Sequence, residues 1–442
     1  MAEYLEQYIL PLIKDVERPK KWKHQPSARG RVHAHCGLVN LGCICYMISM
    51  LQQFFLVPQF RYQLLKAEDD TPENLAEYKG DLIDDNLLRQ LRRLFGYLEL
   101  SERQAYDPKP FCFAFKEFDG SPTKIGEQKD SQEFLNIFFD RLETQLKPTS
   151  QRHLLRDVFA GNQCTQLICQ SCGKVKNRIE LFYNLSLQVK GSTGIYDSLS
   201  KMAKGQTIED YNCDFCKERV NVIRRSLLAD MPNTLIVHLQ RIVFSFDTLQ
   251  NDKVNARFEF PSLLNLKDYS FKERMTKEQL GAEDDGEDLS SLMNVDDDDY
   301  IYRLVGVNVH VGTADHGHYY SLIDIQRGAA ELDPNAADEE GKTKFKEWSD
   351  VSKDSWKVFD DSVVRAFFFD KDLKAEAFGE ASGEAEGGER KSDAMTDAEL
   401  ASFLTSGAQT YGKSAYMLVY ERKSKKNLHE ISFEADKEVD TK

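Results

Sequence analysis

Two short cysteine pairs constrain this chain more than any other feature. ICQSCGK supplies Cys169 and Cys172, and NCDFCKE supplies Cys213 and Cys216. Each pair fits on one tight knuckle, and two knuckles complete a tetrahedral metal site. The 40 residues between the pairs exceed the usual finger spacing. The intervening chain must therefore run out and come back, as a pair of long strands does. Four reduced thiols packed in a core would need neither the pairing nor Gly173 behind one pair. A site closed by four thiolates has no open position, so the metal, one zinc ion, is expected to be structural.

All nine cysteines lie before residue 217, and structural disulfides would leave one of them over. The first turns carry Glu3, Glu6, Lys14 and Asp15 within their only apolar stretch, unlike a signal peptide. No run approaches the roughly 20 apolar residues that cross a bilayer. The expectation is an intracellular chain, cytoplasmic with nuclear access, where disulfides are rare and thiols serve metal or catalysis. The net charge of −15 argues against nucleic acid and favours a basic protein or peptide partner, although such charge also simply keeps a protein soluble.

The 442 residues allow one large domain or two to three subdomains. Residues 1–36 read as a lead segment, a helical pattern broken by Pro11 and then a basic linker. From 37 to 158 the apolar period is helical: CYMISMLQQFFLV sets Met47, Met50, Leu51 and Phe54 near one face, and DNLLRQLRRLFGYLEL and QEFLNIFFDRLETQL repeat the type. From 159 to 260, LFYNLSLQV and NTLIVHLQRIVFSF read as strands. YRLVGVNVHVG and HYYSLIDI read as two strands joined by a short loop, and WKVFDDSVV and AYMLVYER as the last strands. Residues 283–299 hold nine acidic residues and no basic one, so they should be solvated. Residues 375–395 are small, polar and glycine-rich, a second excursion, and 423–442 form a charged tail. The chain has no internal repeat.

NLGCICYMISMLQQ places Cys45 where a helix should begin, behind Gly42. A thiol attacks as the thiolate, and the unpaired N–H groups of a helix N-terminus favour that form. A lone cysteine there is more often a small buried hydrophobe. A nucleophile also needs a histidine to take its proton and an acceptor to orient the histidine. His318 opens the strand after Gly317, His310 closes the preceding strand and His316 lies in the turn; each, taken singly, also suits a structural imidazole. Asp360 in WKVFDD is the candidate acceptor, and Asp361 would point to the opposite side if the strand continues. Both could equally be surface acids. Asn40 could aim its amide at an oxyanion together with the Cys45 N–H, or stabilise its own turn.

These segments resemble one family. GLVNLGCICYMISMLQ is similar to the cysteine box of the ubiquitin-specific proteases, GLxNLGNTCYMNSxLQ. GVNVHVGTADHGHYYSLI resembles their histidine box, WKVFDD the acidic box, QKDSQEF the QQDAQEF segment, LIVHLQRIVFSF with KVNARFEFP the preceding strand and turn, and SAYMLVYER the closing strand. The six motifs stand in the family's order across 37–422. The resemblance implies an α+β fold, a papain-like cysteine protease core with thumb (37–158), fingers with part of the palm (159–260) and palm (261–422). It implies Cys45 as nucleophile, His318 as base and then acid, Asp360 as orienting acid assisted by Asp361, and Asn40 at the oxyanion. It implies Asp130 and Glu133 against arginines of the ubiquitin tail, with His310, His316 and Tyr319 near the channel for that tail. It agrees with a fingertip zinc on the paired cysteines, and implies no catalytic cofactor, with ubiquitin and ubiquitinated proteins as partners. Against the pattern, Cys43, Ile44 and Ile48 replace a small or amide residue, a threonine and an asparagine. A non-catalytic ubiquitin-binding scaffold and a peptidase for a ubiquitin-like modifier are the competing readings.

Overall fold

The computed structural model describes residues 35–67, 85–117, 119–246, 249–275, 296–327, 355–379, 412–423 and 425–426. Residues 1–34 of the lead segment, 283–295 of the acidic run, 380–395 of the polar run and 427–442 of the tail lie outside the described residues.

The first part is helical, as its period requires: α1 (Cys45–Phe55), α2 (Pro58–Lys66), α3 (Leu87–Leu100), α4 (Lys109–Ala114), α5 (Ser131–Leu146) and α6 (Leu154–Phe159). Pro58 opens α2, and the Asn86 side chain caps α3 by accepting from the Arg89 N–H. Aromatic rings knit the layer together. Phe54 of α1 meets Phe138, Phe139 and Phe159 at centroid distances of 5.5, 5.4 and 5.8 Å. Each such pair adds about 0.5–1.5 kcal/mol beyond area burial. Ahead of and between the helices, β1 (Gly37–Leu38) and β2 (Ala105–Tyr106) pair in parallel.

Two sheets follow. The smaller has the order β4-β3-β7-β6, with β3 (Gly161–Cys169), β4 (Val175–Phe182), β6 (Gln206–Asn212) and β7 (Arg219–Leu228). The larger has the order β15-β14-β13-β12-β16-β8-β5. Its members are β5 (Leu185–Gln188), β8 (Thr234–Gln240), β12 (Ile301–Gly312), β13 (Gly317–Asp324), β14 (Trp356–Asp360), β15 (Val363–Ala366) and β16 (Ser414–Arg422), with β11 (Leu263–Asn265) paired to β12. A hairpin of β9 (Ile242–Ser245) and β10 (Gln250–Lys253) stands apart, and α7 (Ile195–Lys204), α8 (Phe271–Arg274) and α9 (Phe369–Ala377) complete the described helices.

Helix α1 departs from the one-sided reading, because every one of its residues is buried. It lies between the helical layer and the large sheet, and its polar side chains bond to the sheet. Asn308 Nδ2 donates to Ser49 Oγ at 3.0 Å, Ser321 Oγ to the Ser49 carbonyl at 2.8 Å, and Gln53 Nε2 to the Leu322 carbonyl at 3.4 Å. Buried polar groups satisfied in this way fix one docking of helix on sheet.

Three readings need correction. LFYNLSLQV is not one strand: β4 ends at Phe182 and β5 starts in the other sheet. Tyr183 makes the break by packing on Phe139 at 5.4 Å and donating its hydroxyl to Glu143. NTLIVHLQRIVFSF breaks at Arg241, whose buried guanidinium donates to the carbonyls of Ala415, Val254 and Ala256. Residues 375–377 belong to α9, and Phe378 packs on Phe260 at 4.8 Å, so the polar excursion does not begin at 375. In the acidic run, Asp296, Asp297 and Asp298 are exposed as expected, Asp297 pairing with Lys267, while half-buried Asp299 pairs with Arg422.

Candidate functional site

The loop before α1 is shaped by what it lies on. Gly42 has φ 155°, and a Cβ there would stand 2.5 Å from the Ile125 carbonyl oxygen. No side chain larger than hydrogen fits. The Cys43 N–H donates to that same carbonyl at 2.7 Å. Asn40 Oδ1 accepts the Gly42 and Ile44 N–H groups at 3.1 and 3.3 Å. Its Nδ2 donates to Asp361 Oδ2 at 3.1 Å. Two backbone donors on one side and a carboxylate on the other fix which end of the amide faces which. Cys45 follows as the first residue of α1, 3% exposed. Its N–H has no acceptor inside the helix. Ile44 and Ile48 are buried at 0% and 2%, so at both places where the family carries a polar residue this chain has core packing.

The other wall comes from the large sheet. His318 stands at the start of β13, and its Nε2 is 2.7 Å from Asp360 Oδ1. With Nε2 so engaged, the interaction between the imidazole and Cys45 falls to Nδ1. Burial works against the imidazolium, but the hydrogen bond with Asp360 and the nearby Cys45 and Asp360 charges outweigh it and push His318 up to about 10. Asp360 feels the same pair from the other side. Burial raises it, and the hydrogen bond and charge of His318 win and hold it below the usual carboxylate range.

Asp361 does not continue the strand. It takes a left-handed φ of 49° in the two-residue loop between β14 and β15, so both acids reach the site. Its carbonyl accepts the Leu38 N–H at 2.9 Å, and its carboxylate is the one bonded by Asn40. Burial raises its pKa. The structure thus brings Cys45, His318, Asp360, Asp361 and Asn40 together.

The remaining predicted residues are placed unevenly. Asp130 is spent on structure: Oδ1 caps α5 by accepting the Gln132 and Glu133 N–H groups at 2.6 and 3.2 Å, and Oδ2 accepts the Tyr416 hydroxyl. Glu133, on the first turn of α5, is exposed. His316 is exposed at the 312–317 turn, whereas His310 and Tyr319 are 1% and 2% exposed, with ring centroids 4.4 Å apart. Those two underlie the site and do not line its open surface. One contact went unread in the sequence. Gln128 Oε1 accepts the Gly317 N–H at 2.9 Å and ties the loop before α5 to the residue preceding His318. Its only signal was its place at the head of QKDSQEF.

The paired cysteines meet at the far end of the small sheet. Cys169 and Cys216 sulfurs are 3.9 Å apart, as are those of Cys172 and Cys213, and all four lie within 4.8 Å of one another. A tetrahedron with metal–sulfur bonds of about 2.3 Å has edges near 3.8 Å, so the set fits a metal ion. The knuckles are built alike. Gly173 (φ 70°) and Lys217 (φ 60°) each follow the second cysteine, and their N–H groups donate to the carbonyls of Cys169 and Cys213 at 3.0 and 2.9 Å. The Cys172 N–H donates to the Cys169 sulfur and heads the interactions that lower that thiol to about 7. His318, Asp360 and Asp361 are also close together; His318 Nε2 bonds Asp360 Oδ1 and Asp361 Oδ2 accepts from Asn40, while Asp361 Oδ1 is buried without a hydrogen-bond partner.

A family profile described as "Ubiquitin carboxyl-terminal hydrolase" matches residues 36–420. The chain belongs to the ubiquitin carboxyl-terminal hydrolase family. It is 31% identical over 433 residues to human "Ubiquitin carboxyl-terminal hydrolase 34", covering 95% of this chain and 11% of that protein. It is 32% identical over 433 residues to "Ubiquitin carboxyl-terminal hydrolase puf" of Drosophila melanogaster, covering 93% of this chain and 10% of the relative. Human "Ubiquitin carboxyl-terminal hydrolase 24" is 30% identical over 403 residues, 88% of this chain and 14% of its own length. The chain therefore spans a small fraction of the relatives it matches. Helices packed on antiparallel sheets agree with the papain-like α+β fold of this family.

Proposed function

We propose that this chain is a thiol-dependent deubiquitinase that hydrolyses the isopeptide or peptide bond after the C-terminal glycine of ubiquitin. The observation that carries the reading is one imidazole bonded to Asp360 and interacting with Cys45, at the start of a buried helix. His318 holds the proton, and the Cys45 sulfur attacks the glycine carbonyl as the thiolate. The oxyanion forms beside the Cys45 N–H and the Asn40 amide. One hydrogen of that amide is held by Asp361, which fixes its plane and leaves the second for the oxyanion. The imidazolium then protonates the leaving amine. Water, deprotonated by His318, opens the thioester and releases ubiquitin. Asp360 holds the tautomer and stabilises the imidazolium without taking the proton.

Glu133 and His316 are the exposed candidates for contact with the basic ubiquitin tail, with His310 and Tyr319 supporting them from below. The thumb, fingers and palm boundaries at 158 and 260 fall near the end of α6 and between the hairpin β9–β10 and β11. For the thiol cluster we assign one structural zinc to Cys169, Cys172, Cys213 and Cys216, held without an open position and outside the chemistry. A reducing, cytoplasmic or nuclear setting suits nine cysteines outside disulfides.

A ubiquitin probe with an electrophilic C-terminus tests the reading. It should label Cys45, and Cys45→Ala should abolish labelling while leaving the fold intact. Folded chain that binds ubiquitin without labelling would favour the scaffold. Faster hydrolysis of a ubiquitin-like modifier's C-terminal substrate, measured alongside ubiquitin's, would redirect the specificity.

A further inference from the structure

The proposed mechanism leaves unused a buried phenol beside the imidazole and the charged pair that holds its hydroxyl. His318 and Tyr320 stand two residues apart on β13 and so share a face of the sheet. Their rings are near-parallel, 6.4 Å between centroids with an interplanar angle of 25°. The register of β13 on β14 pairs Ser321 with Phe359. One residue further it sets Tyr320 opposite Asp360, so the phenol ring lies beside both members of the His–Asp pair. Tyr320 is 5% exposed. Its hydroxyl donates to Glu376 Oε2, which belongs to α9. Lys413, just ahead of β16, donates to both oxygens of Glu376 at 3.0 and 2.9 Å, and its ammonium stands 5.9 Å from the Tyr320 ring centroid. Glu376 of α9 and Lys413 just ahead of β16 thus hold the Tyr320 ring in place beside the imidazole.

We infer that Tyr320, Glu376 and Lys413 form a positioning network for His318, in which the Lys413–Glu376 pair anchors the phenol hydroxyl and the phenol ring limits rotation of the imidazole. The role of His318 rests on the deubiquitinase reading; the contacts themselves do not. The imidazole turns about its Cβ–Cγ bond, and Asp360 restrains one nitrogen only. A ring anchored at its far end blocks the swing that would carry Nδ1 off the sulfur. A phenol held by a carboxylate alone would bury an uncompensated charge, which the Lys413 ammonium offsets. The groups facing His318 are Cys45 from α1, Asp360 from β14, Asp361 from the turn, His310 from β12 and Tyr320 from its own strand. Arg365 of β15 and Lys413 act on Asp360.

The test uses the full chain. With a ubiquitin C-terminal fluorogenic substrate, Tyr320→Leu should lower kcat about tenfold with KM held within about twofold, since misplacing a catalytic group costs turnover before binding. Tyr320→Phe keeps the ring and loses its anchor, and should fall between Tyr320→Leu and wild type. Lys413→Arg should keep wild-type kcat, whereas Lys413→Met should not. A purely structural role would lower Tm and leave kcat and its pH profile unchanged, and that result overturns the proposal. A second readout needs no turnover: titration of the His318 imidazole by NMR in folded protein. Glu376→Gln leaves Lys413 unopposed and should lower the imidazole pKa by roughly half a unit, while Lys413→Met should raise it by a similar amount. Titrations identical to wild type in both variants would also overturn the proposal. Opposite shifts in a chain that no ubiquitin probe labels would uphold the network and sink the deubiquitinase reading.

Discussion

Asp360 and Asp361 are neighbours in sequence but face different partners because the chain turns between them. Asp360 ends β14 and meets His318, and Asp361, left-handed in the loop, meets Asn40. Asp360→Asn should therefore act on the imidazole. It should lower kcat by about 10²–10⁴-fold, as loss of an orienting carboxylate does, and bring the His318 pKa down from about 10. Stability should move with it. An unfolded histidine titrates near 6.5, so below that pH both states hold the proton and the stabilisation is fully present. Between about 6.5 and about 10 only the folded state keeps it, and stability falls as pH rises. Urea unfolding at pH 6 and pH 9.5 should show a smaller loss for Asp360→Asn than for wild type. The site was legible at this scale only where a motif carried it. Cys45, His318 and Asp360 stood in recognisable boxes, and Asn40 five residues before the thiol. That Asn40 and Asp361 bond each other across 321 positions was not, because no spacing in a sequence encodes a contact between distant loops.

Helix α5 shows the same limit one level up. Its residues 132–146 read as a helix from their period alone, but the period does not mark Asp130, for which the resemblance implies ligand contact, as its cap. Asp130 is its N-cap, and it also takes the Tyr416 hydroxyl from β16. Asp130→Ala should destabilise the fold by about 1–2 kcal/mol, measured by chemical denaturation, since it removes a cap and leaves a buried hydroxyl without its acceptor. Asparagine caps about as well as aspartate, so Asp130→Asn should retain most of the stability. If KM for ubiquitin rises sharply in Asp130→Asn at unchanged stability, the carboxylate contacts substrate after all. Strand boundaries failed for a related reason. LFYNLSLQV and NTLIVHLQRIVFSF have continuous strand composition, and their breaks are made by Tyr183 reaching Glu143 and Arg241 reaching three carbonyls. Knuckle geometry, in contrast, was local and readable. Lys217 occupies a left-handed position that Gly173 fills in the sister knuckle. Lys217→Gly should stabilise the small sheet by about 0.5–1 kcal/mol, seen as slower amide exchange in β6 and β7.

Across the whole molecule, apolar burial is distributed unequally, and that decides what the proposed zinc supports. One large cluster joins α1 and the other early helices to β13 and β16, and a second runs from Cys164 to Tyr420, under the large sheet and the inner ends of β3, β4 and β7. Both frame the triad and contain none of the four paired cysteines. Around those cysteines the buried apolar set is only Cys169, Cys213 and Val222, with Leu167, Ile208, Tyr211, Cys216 and Val220 half-covered. A cluster of that size offsets little of the chain entropy of four strand ends, and a metal bound by the four thiols would supply the difference. Cys172→Ser with Cys216→Ser removes one ligand from each knuckle. Amide exchange should then accelerate in β6, in the outer half of β7 and at the β3–β4 turn, while the large sheet keeps its protection. The triad, anchored in the other clusters, should still react with a small thiol electrophile at close to the wild-type rate. KM for a ubiquitin substrate should rise if the small sheet grips ubiquitin, with kcat changed by less than about threefold. Loss of thiol reactivity together with protection in β13 and β14 would mean that the cluster holds the whole fold, and that the two parts are not energetically separate.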